Sequence, residues 1–196
     1  MVEDGHWRHG RVHGLDWQNV KTAGGLAFGE AVSINDYNDC VACRDNVNNN
    51  KHSVSATIRK DASYAPTGNP EVELVVACSI NAHSIRLYEF LWAHHSGFWQ
   101  VVRWDGAKGT FNFGLAAIGP GPGTPVDGDH MEFRYDATNP ADVVLTCYKN
   151  GALVATAHDA TAGRILSGNP GLSFYATSGS NADMNRYCFT EWSCSV

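Results

Sequence analysis

The 196-residue chain lacks long apolar segments and extended helical periodicity. No apolar run approaches the ~18 residues that a membrane-spanning helix requires. Residues 1–14 also lack the apolar stretch that is typical of a signal peptide. Apolar side chains instead recur at every second position, which is the period of a β-strand. These features exclude a helical bundle and a helical membrane protein, and they favour an all-β domain.

Charged residues are scarce, and basic residues are the scarcer kind. Asp and Glu number 20 against 14 Lys and Arg, so the formal net charge is −6. The basic residues are scattered singly, whereas nucleic-acid binding requires a clustered basic face. We therefore expect no nucleic-acid partner.

Short segments with β patterning alternate with clusters of turn-forming residues. Their number and spacing predict one domain, a two-sheet antiparallel β-sandwich over residues 15–196. The His- and Arg-rich residues 1–14 are predicted to form a flexible extension. The predicted strands are Gly25–Ile34, Ser53–Arg59, Val72–Ser79, Ser84–Ala93, Phe98–Trp104, Phe111–Ile118, His130–Asp136, Val143–Lys149, Ala152–His158, Gly171–Ala176 and Arg186–Ser193.

The clearest local signal is the stretch from Leu145 to Phe174, where Asn150-Gly151 separates two apolar runs. Asn-Gly in this context predicts a β-hairpin, because both central residues of its tight turn take positive φ. The stretch resembles the closing half of a concanavalin A-like (laminin G-like) jelly roll, and the resemblance extends back to about Asn19. That family has a "YkNG-lv-t--D" hairpin, an "SG-PGl-fy" strand and a final aromatic strand. Here these elements read Tyr148 to Asp159, Ser167 to Tyr175, and Tyr187 to Trp192.

The resemblance implies a fold that carries lectins, carbohydrate-binding modules, glycanases, polysaccharide lyases and interaction domains. For such a domain an extracellular or cell-surface location is expected. An unusual first strand would expose a sheet edge, which leaves homodimerisation through that edge open.

Alternation along Ser84–His95 places several aromatic and charged side chains on one face of a central strand. Aromatic rings pack on the apolar faces of sugars, while charged groups bond with sugar hydroxyls and uronates. We therefore predict a concave polysaccharide-binding groove. Its predicted residues are Arg86, Tyr88, Trp92, His94, Trp99, Arg103, Glu132 and Arg134. The alternatives are core packing for each aromatic residue and a cross-strand ion pair between Arg103 and Glu132.

Catalytic motifs known in this fold are missing. The acidic triplet E-x-D-x-x-E of its glycanases does not occur: Glu71 and Glu73 flank a single Val at the start of a strand, and Glu89, Glu132 and Glu191 stand alone. A polysaccharide lyase would need a cation or amide for the uronate and a His/Tyr pair for proton transfer. Residues of those types are His94, Tyr88, Arg103 and Gln100, without the lyases' spacing. A binding module is therefore favoured, with a lyase or another glycan-active enzyme as the alternative and a structural or adhesion module as a third.

The resemblance also implies one structural Ca²⁺ between an early loop and the last strand. The candidate ligands are Asp36, Asp39 and Glu191. An Asn/Asp-rich turn that satisfies its own backbone is the alternative for the first two.

Six cysteines permit several pairings, and the sequence leaves the pairing open. Cys40 and Cys43 form a CxxC that would suit a local disulfide or half of a zinc site, although no second CxxC exists. Cys78 and Cys147 lie in apolar strands and are interpreted as small core residues.

Overall fold

The computed structural model of the chain describes residues 5–30, 39–66, 68–107, 112–116, 121–175 and 181–196. Within these residues the strands pair antiparallel in two seven-stranded sheets, with short 3-10 turns at Arg11–His13 and Asn181–Arg186. The sheets pack face to face, as in other sandwiches. The predicted all-β, two-sheet antiparallel sandwich is confirmed.

Sheet A contains a meander of four successive strands, extended on one side by strands from distant parts of the chain. In spatial order its members are β1 (Trp7–His9), β4 (Asp39–Arg44), β13 (Asn169–Tyr175), β6 (Glu71–Asn81), β7 (Ser84–Ala93), β8 (Trp99–Gly106) and β9 (Asn112–Ala116).

Sheet B combines the two strands of the predicted hairpin with the C-terminal strand and two early strands. In spatial order its members are β12 (Ala152–Asp159), β11 (Val143–Lys149), β10 (His130–Asp136), β5 (Lys51–Lys60), β14 (Tyr187–Ser195), β3 (Leu26–Glu30) and β2 (Asn19–Ala23).

The main core lies between the two sheets. Tyr88 and Phe90 of β7 meet Phe133 and Tyr135 of β10 there, with all four side chains almost fully buried. Burial of side chains of this size stabilises the fold by about 1.5–3 kcal/mol each. Contacts between the two inner faces therefore hold the sandwich together.

A second apolar cluster lies on the opposite, outer face of sheet A. Trp17 covers it and meets Trp104 edge to face, with ring centroids 5.1 Å apart. The segment that carries Trp17 is fastened to β4, because Gly10 N donates to Val41 O at 3.0 Å and Val41 N donates to Gln18 O at 3.1 Å. The N-terminal segment thus shields part of this outer face from solvent.

For residues 5–14, the described part, the structure corrects the prediction of a flexible extension over residues 1–14. Trp7–His9 pairs with β4 in the register Trp7↔Arg44, and Asp45 N donates to His6 O at 2.6 Å. Three residues are too few to show a period, so the sequence pattern could not reveal this edge strand. Residues 5–14 belong to the sandwich.

The predicted hairpin is confirmed at its turn. Asn150 has φ 50° and Gly151 has φ 78°, as a two-residue turn of this type requires. The Asn150 side chain fastens the turn to the neighbouring strand: its Oδ1 accepts from His130 N, and its Nδ2 donates to Asp129 Oδ1, both at 2.8 Å. This turn sets the register of β11 and β12.

The CxxC lies on a strand, β4. Cys40 faces the core between the sheets, whereas Cys43 faces the outer cluster of sheet A. Because the two thiols lie on opposite faces, they form neither a mutual disulfide nor half of a zinc site. All six cysteines lie among the described residues and are reduced, and Cys78 and Cys147 are confirmed as core residues.

Candidate functional site

The predicted groove residues do not share a surface. Tyr88, Trp92 and Trp99 face sheet B and are buried in the main core. Trp92 Nε1 donates to Gly123 O at 2.9 Å, and Lys149 Nζ lies 4.6 Å from the centre of its ring. The alternation of side chains along β7 separated its two faces correctly. The face that was predicted to bind the ligand, however, is the one that packs in the core between the sheets.

Arg103 also points inward, where it forms a buried network. Its Nη1 donates to Asp159 Oδ2 at 2.7 Å, and Tyr88 Oη donates to the same oxygen at 2.8 Å. Burial alone would raise the pKa of Asp159, but hydrogen bonds from Thr161, Arg103 and Tyr88 outweigh it and hold that pKa below its usual value. The network joins β7 and β8 of sheet A to β12 of sheet B, so the partner of Arg103 is Asp159 and not Glu132.

The four residues predicted for lyase chemistry do not lie together. His94 lies just beyond the far end of β7, buried between the rings of Tyr64 and Tyr187 at centroid distances of 5.3 and 4.8 Å. Burial lowers the pKa of His94 to about 4, with further lowering from Lys60. Gln100 lies on the outer face of sheet A, opposite to Tyr88 and Arg103. These four residues therefore do not meet around one substrate.

The remaining predicted groove residues are exposed, in two separate places. Arg86 lies on sheet A, where its Nε donates to Asp105 Oδ1 at 2.8 Å. Glu132 and Arg134 lie on the outer face of sheet B and bind each other. The single concave groove predicted from the sequence is wrong, because its members divide among the core and two separate exposed places.

The predicted calcium ligands do not fit one ion. Asp39 lies on β4 of sheet A and Glu191 on β14 of sheet B, where Glu191 Oε2 accepts from Thr57 Oγ1 at 3.2 Å. Asp36 lies outside the described residues. Over the described part of the chain, no three His, Cys, Asp or Glu side chains are arranged to hold a metal. The predicted pairing of Asp39 with Glu191 is therefore wrong.

A cavity of about 760 Å³ opens on the outer face of sheet B and is called here the sheet B cavity. Arg134 binds both oxygens of Glu132, at 2.7 and 3.1 Å, and its guanidinium lies 4.2 Å from the Tyr148 ring centre. The cavity is lined by Lys51, His52, Ser53, Glu132, Arg134, Tyr135, Asp136, Val144, Thr146, Ser195 and Val196. It offers charged groups of both signs and several hydroxyls to a ligand.

Four carboxyl side chains gather on the outer face of sheet A, and this group is called here the acidic face: Asp39, Glu71, Glu73 and Glu89. Glu73 and Glu89 are 0% and 1% exposed. They lie on neighbouring strands, because Glu73 pairs with Leu91 and Val75 pairs with Glu89. Side chains in such diagonal positions on one face are within reach of each other.

Burial is the main cause of the raised pKa values in the acidic face. It raises the pKa of Asp39 to about 8 and that of Glu71 to about 7. The pKa values of Glu73 and Glu89 are raised well above their usual range, first by burial and then by neighbouring carboxylates. The interior members of this group therefore hold protons at neutral pH.

A specific contact orients Glu89, one of the two innermost carboxyls: Trp104 Nε1 donates to Glu89 Oε2 at 2.9 Å. Sequence reasoning missed this group because it searched for an acidic triplet on one strand. The available signal was a carboxyl inside each of two apolar strands, VELVV and LYEFLW.

No family model matches the sequence, and no curated protein matches it. Solved structures do share its fold. The CBM66 carbohydrate-binding module from Bacillus subtilis has a TM-score of 0.62 and 12% identity, covering 97% of this chain and 96% of that chain. The chain has the fold of a concanavalin A-like jelly roll.

Lectin-type domains share this jelly roll at similarly low identity. A legume lectin-like domain from Entamoeba histolytica has a TM-score of 0.56 and 9% identity, covering 97% of this chain and 89% of that chain. The potassium-bound form of the Emp46p carbohydrate recognition domain has a TM-score of 0.57 and 11% identity, covering 98% of this chain and 92% of that chain. At such identities the likeness establishes the fold of the chain. Among the described residues of this jelly roll, no helix has the length and apolar character to cross a membrane.

Proposed function

We propose that the chain is a carbohydrate-binding domain and that the sheet B cavity is its glycan site. The observation that carries this proposal is the cavity itself, where Glu132 and Arg134 lie among hydroxyl side chains. Its volume of about 760 Å³ lies within the usual range for small-molecule sites, about 300–1,000 Å³. An open, polar cavity of this size suits a mono- or oligosaccharide.

The polar groups of the cavity match the chemistry of sugars. Arg134 donates, Glu132 accepts, and the hydroxyls of Ser53 and Ser195, 2.8 Å apart, do both. A sugar hydroxyl can therefore donate to the carboxylate and accept from the guanidinium at the same time. Hydrogen bonds of this charge-assisted kind are stronger than those between neutral groups.

Proteins of the same fold support this assignment. CBM66 is a carbohydrate-binding module, and the Emp46p domain is a carbohydrate recognition domain. The low identities mean that their binding residues cannot be transferred to this chain. The choice of site therefore depends on the cavity.

A glycan array followed by calorimetry on each positive glycan tests the proposal. Arg134→Ala and Glu132→Gln are each expected to weaken binding about 10- to 100-fold, since a hydrogen bond to a charged group contributes about 1.5–3 kcal/mol. Arg86→Ala, which removes another exposed arginine of an ion pair, is the matched control and should leave affinity unchanged. A chain that binds no glycan, or glycan affinity that survives both cavity substitutions, would contradict the proposal.

A further inference from the structure

Three polar pairs follow one another on the outer face of sheet B, where β5 and β14 lie side by side. In each pair a hydroxyl of β5 meets a hydroxyl or a carboxylate of the directly opposite residue on β14. All six side chains are half-buried or exposed, so a ligand in solvent can reach them. This set is called here the hydroxyl ladder: Ser53–Ser195 with Oγ atoms 2.8 Å apart, Ser55–Ser193 with Oγ atoms 2.9 Å apart, and Thr57–Glu191, in which Thr57 Oγ1 donates to Glu191 Oε2 at 3.2 Å.

The hydroxyl ladder begins inside the sheet B cavity and continues along the strands. Ser53 and Ser195 line the cavity, and the other two pairs lie successively farther from it. Side chains two residues apart on an antiparallel strand point to the same face and are about 6.8 Å apart. From Ser53 to Thr57 the ladder therefore extends about 14 Å. This length exceeds that of one sugar ring.

The serine pairs of the ladder keep hydrogen-bonding capacity for a ligand. A serine hydroxyl can donate once and accept twice, and the contact within a pair uses only part of this capacity. The Oγ–Oγ separations of 2.8 and 2.9 Å are close to the spacing of neighbouring hydroxyls on a sugar ring. Two adjacent sugar hydroxyls can therefore bond with both members of a pair. Because the strands hold the serines in place, such binding costs little further ordering.

The charged groups beside the ladder favour an uncharged ligand. Lys51 and Arg134 both line the cavity, and each already has a carboxylate partner. Lys51 Nζ lies 2.7 Å from Asp136 Oδ2, and Arg134 Nε lies 2.7 Å from Glu132 Oε1. A carboxylated or sulfated glycan would have to compete with these carboxylates, and Glu191 at the far end of the ladder would repel it. An uncharged glycan leaves both ion pairs intact.

We infer that the domain recognises an uncharged, linear oligosaccharide segment, with one sugar in the sheet B cavity and the next sugars along the hydroxyl ladder. This inference rests on the proposed function of the cavity and adds the class of glycan. The charged groups of the cavity form the stronger hydrogen bonds, and the neutral hydroxyls of the ladder form weaker ones with the following sugars. The affinity therefore increases with the number of sugar units until the glycan reaches Glu191.

The first test measures affinity against chain length. Gluco-, manno-, galacto- and fructo-oligosaccharides, each from monosaccharide to hexasaccharide, are titrated by NMR and calorimetry. In a series that binds, the affinity should increase with each added unit and then become constant, because the ladder has a fixed length. The unaltered chain suffices for this measurement.

Substitutions in the middle pair of the ladder test the path of the glycan. Ser55→Ala and Ser193→Ala should each weaken tetrasaccharide binding about 2- to 10-fold, the range for one neutral hydrogen bond, and should leave monosaccharide binding unchanged. Thr156→Val is the matched control. It removes an exposed hydroxyl from the same outer face on β12, where Thr156 pairs with the cavity-lining Thr146, and should leave both affinities unchanged. Near-UV circular dichroism verifies the fold of each variant.

A further measurement on the unaltered chain tests the preference for an uncharged glycan. The primary hydroxyls of the tetrasaccharide that binds are oxidised to carboxylates, which gives a charged ligand with the same backbone. At low salt the oxidised form should bind at least about 10-fold more weakly, because it meets the carboxylates of this face. Added salt should narrow the difference, since it screens the repulsion.

The outcomes separate this inference from the proposed function. Tighter binding of the oxidised form, no gain in affinity beyond a monosaccharide, or full tetrasaccharide affinity in both serine variants would overturn the inference, while binding that is lost in Arg134→Ala would still support the cavity as the site. Weaker binding by Thr156→Val would also overturn it, because the glycan would then run across the strands. A chain that binds neither uncharged nor charged glycans would contradict the proposed function itself.

Discussion

At the scale of single residues, the buried polar groups of this sandwich divide into paired and proton-bearing ones. Arg103 and Asp159 are paired, with side chains 5% and 0% exposed and 2.7 Å between Nη1 and Oδ2. Among the described residues no comparable cation pairs with the carboxyls of the acidic face, and burial raises their pKa so that they hold protons instead. A buried charge must be neutralised in one of these two ways, because its desolvation is otherwise too costly.

The buried pair leads to a prediction about stability. Asp159→Ala should lower the free energy of unfolding by about 3–5 kcal/mol, because Arg103 then keeps its charge in the interior without that carboxylate. Urea denaturation followed by tryptophan fluorescence measures the change. Asp105→Ala breaks the exposed pair with Arg86 and should cost less than about 1 kcal/mol. Equal losses in the two variants would show that burial does not govern the contribution of Asp159.

At the scale of elements, the hairpin of β11 and β12 is the part most directly specified by local sequence. Gly151 sits at φ 78°, and a Cβ added there would meet nothing within 4 Å. The requirement for glycine is thus one of backbone conformation and not of space.

Gly151→Ala is therefore expected to lower the free energy of unfolding by about 1–2 kcal/mol, the cost of a left-handed conformation for a residue with a Cβ. Gly5→Ala is the control, because its added Cβ also meets nothing within 4 Å and its φ is not in the left-handed range. Thermal unfolding of the two variants separates conformational strain from steric contact. A Tm for Gly151→Ala equal to that of the Gly5 variant would contradict this account of the turn.

At the scale of the whole molecule, the two sheets have outer faces of opposite character. The outer face of sheet B carries an open polar cavity with ion pairs at its walls. On sheet A, an apolar cluster capped by Trp17 lies beside a buried group of carboxyls. The first face is therefore open to a ligand from solvent, whereas the innermost carboxyls of the second are shielded from it.

The acidic face should make the stability of the whole domain depend on pH. Its carboxyls have higher pKa values in the folded chain, about 7 for Glu71 and about 8 for Asp39, than in the unfolded chain. The folded state therefore keeps protons that the unfolded state loses, and stability falls as the pH rises through the folded values. For each carboxyl that still holds its proton in the folded state, the free energy of unfolding falls by about 1.4 kcal/mol per pH unit.

Two buried histidines, His52 and His94, have pKa values lowered to about 4. They make the stability rise with pH, but mainly below the ordinary histidine pKa of about 6.5. The Tm of the unaltered chain should therefore fall most clearly between about pH 6.5 and about pH 8. The Glu73→Gln, Glu89→Gln double variant should show a shallower decline, because two of the protons are then absent. Differential scanning calorimetry across this range measures both, and a Tm that rises with pH would contradict the prediction.

The sequence by itself determined the fold class, the strands with clear alternation, and the Asn150-Gly151 turn. These features depend on local chemistry: the two-residue period of strands, and the few residues that accept positive φ. Short or doubly buried strands such as Trp7–His9 and Asp39–Arg44 have no alternation to detect, so the sequence left them out.

Only the tertiary structure decided which face of each strand is inside and which strands are neighbours. Alternation along β7 separated Tyr88 and Trp92 from Glu89, but either set satisfies the same pattern, and the packing of sheet B placed the aromatic set in the core. The diagonal placement of Glu73 and Glu89 likewise depends on the β6–β7 register, and Arg103 meets Asp159 only because two sheets face each other. Contacts across strands and sheets join distant parts of the chain, and no local period encodes them.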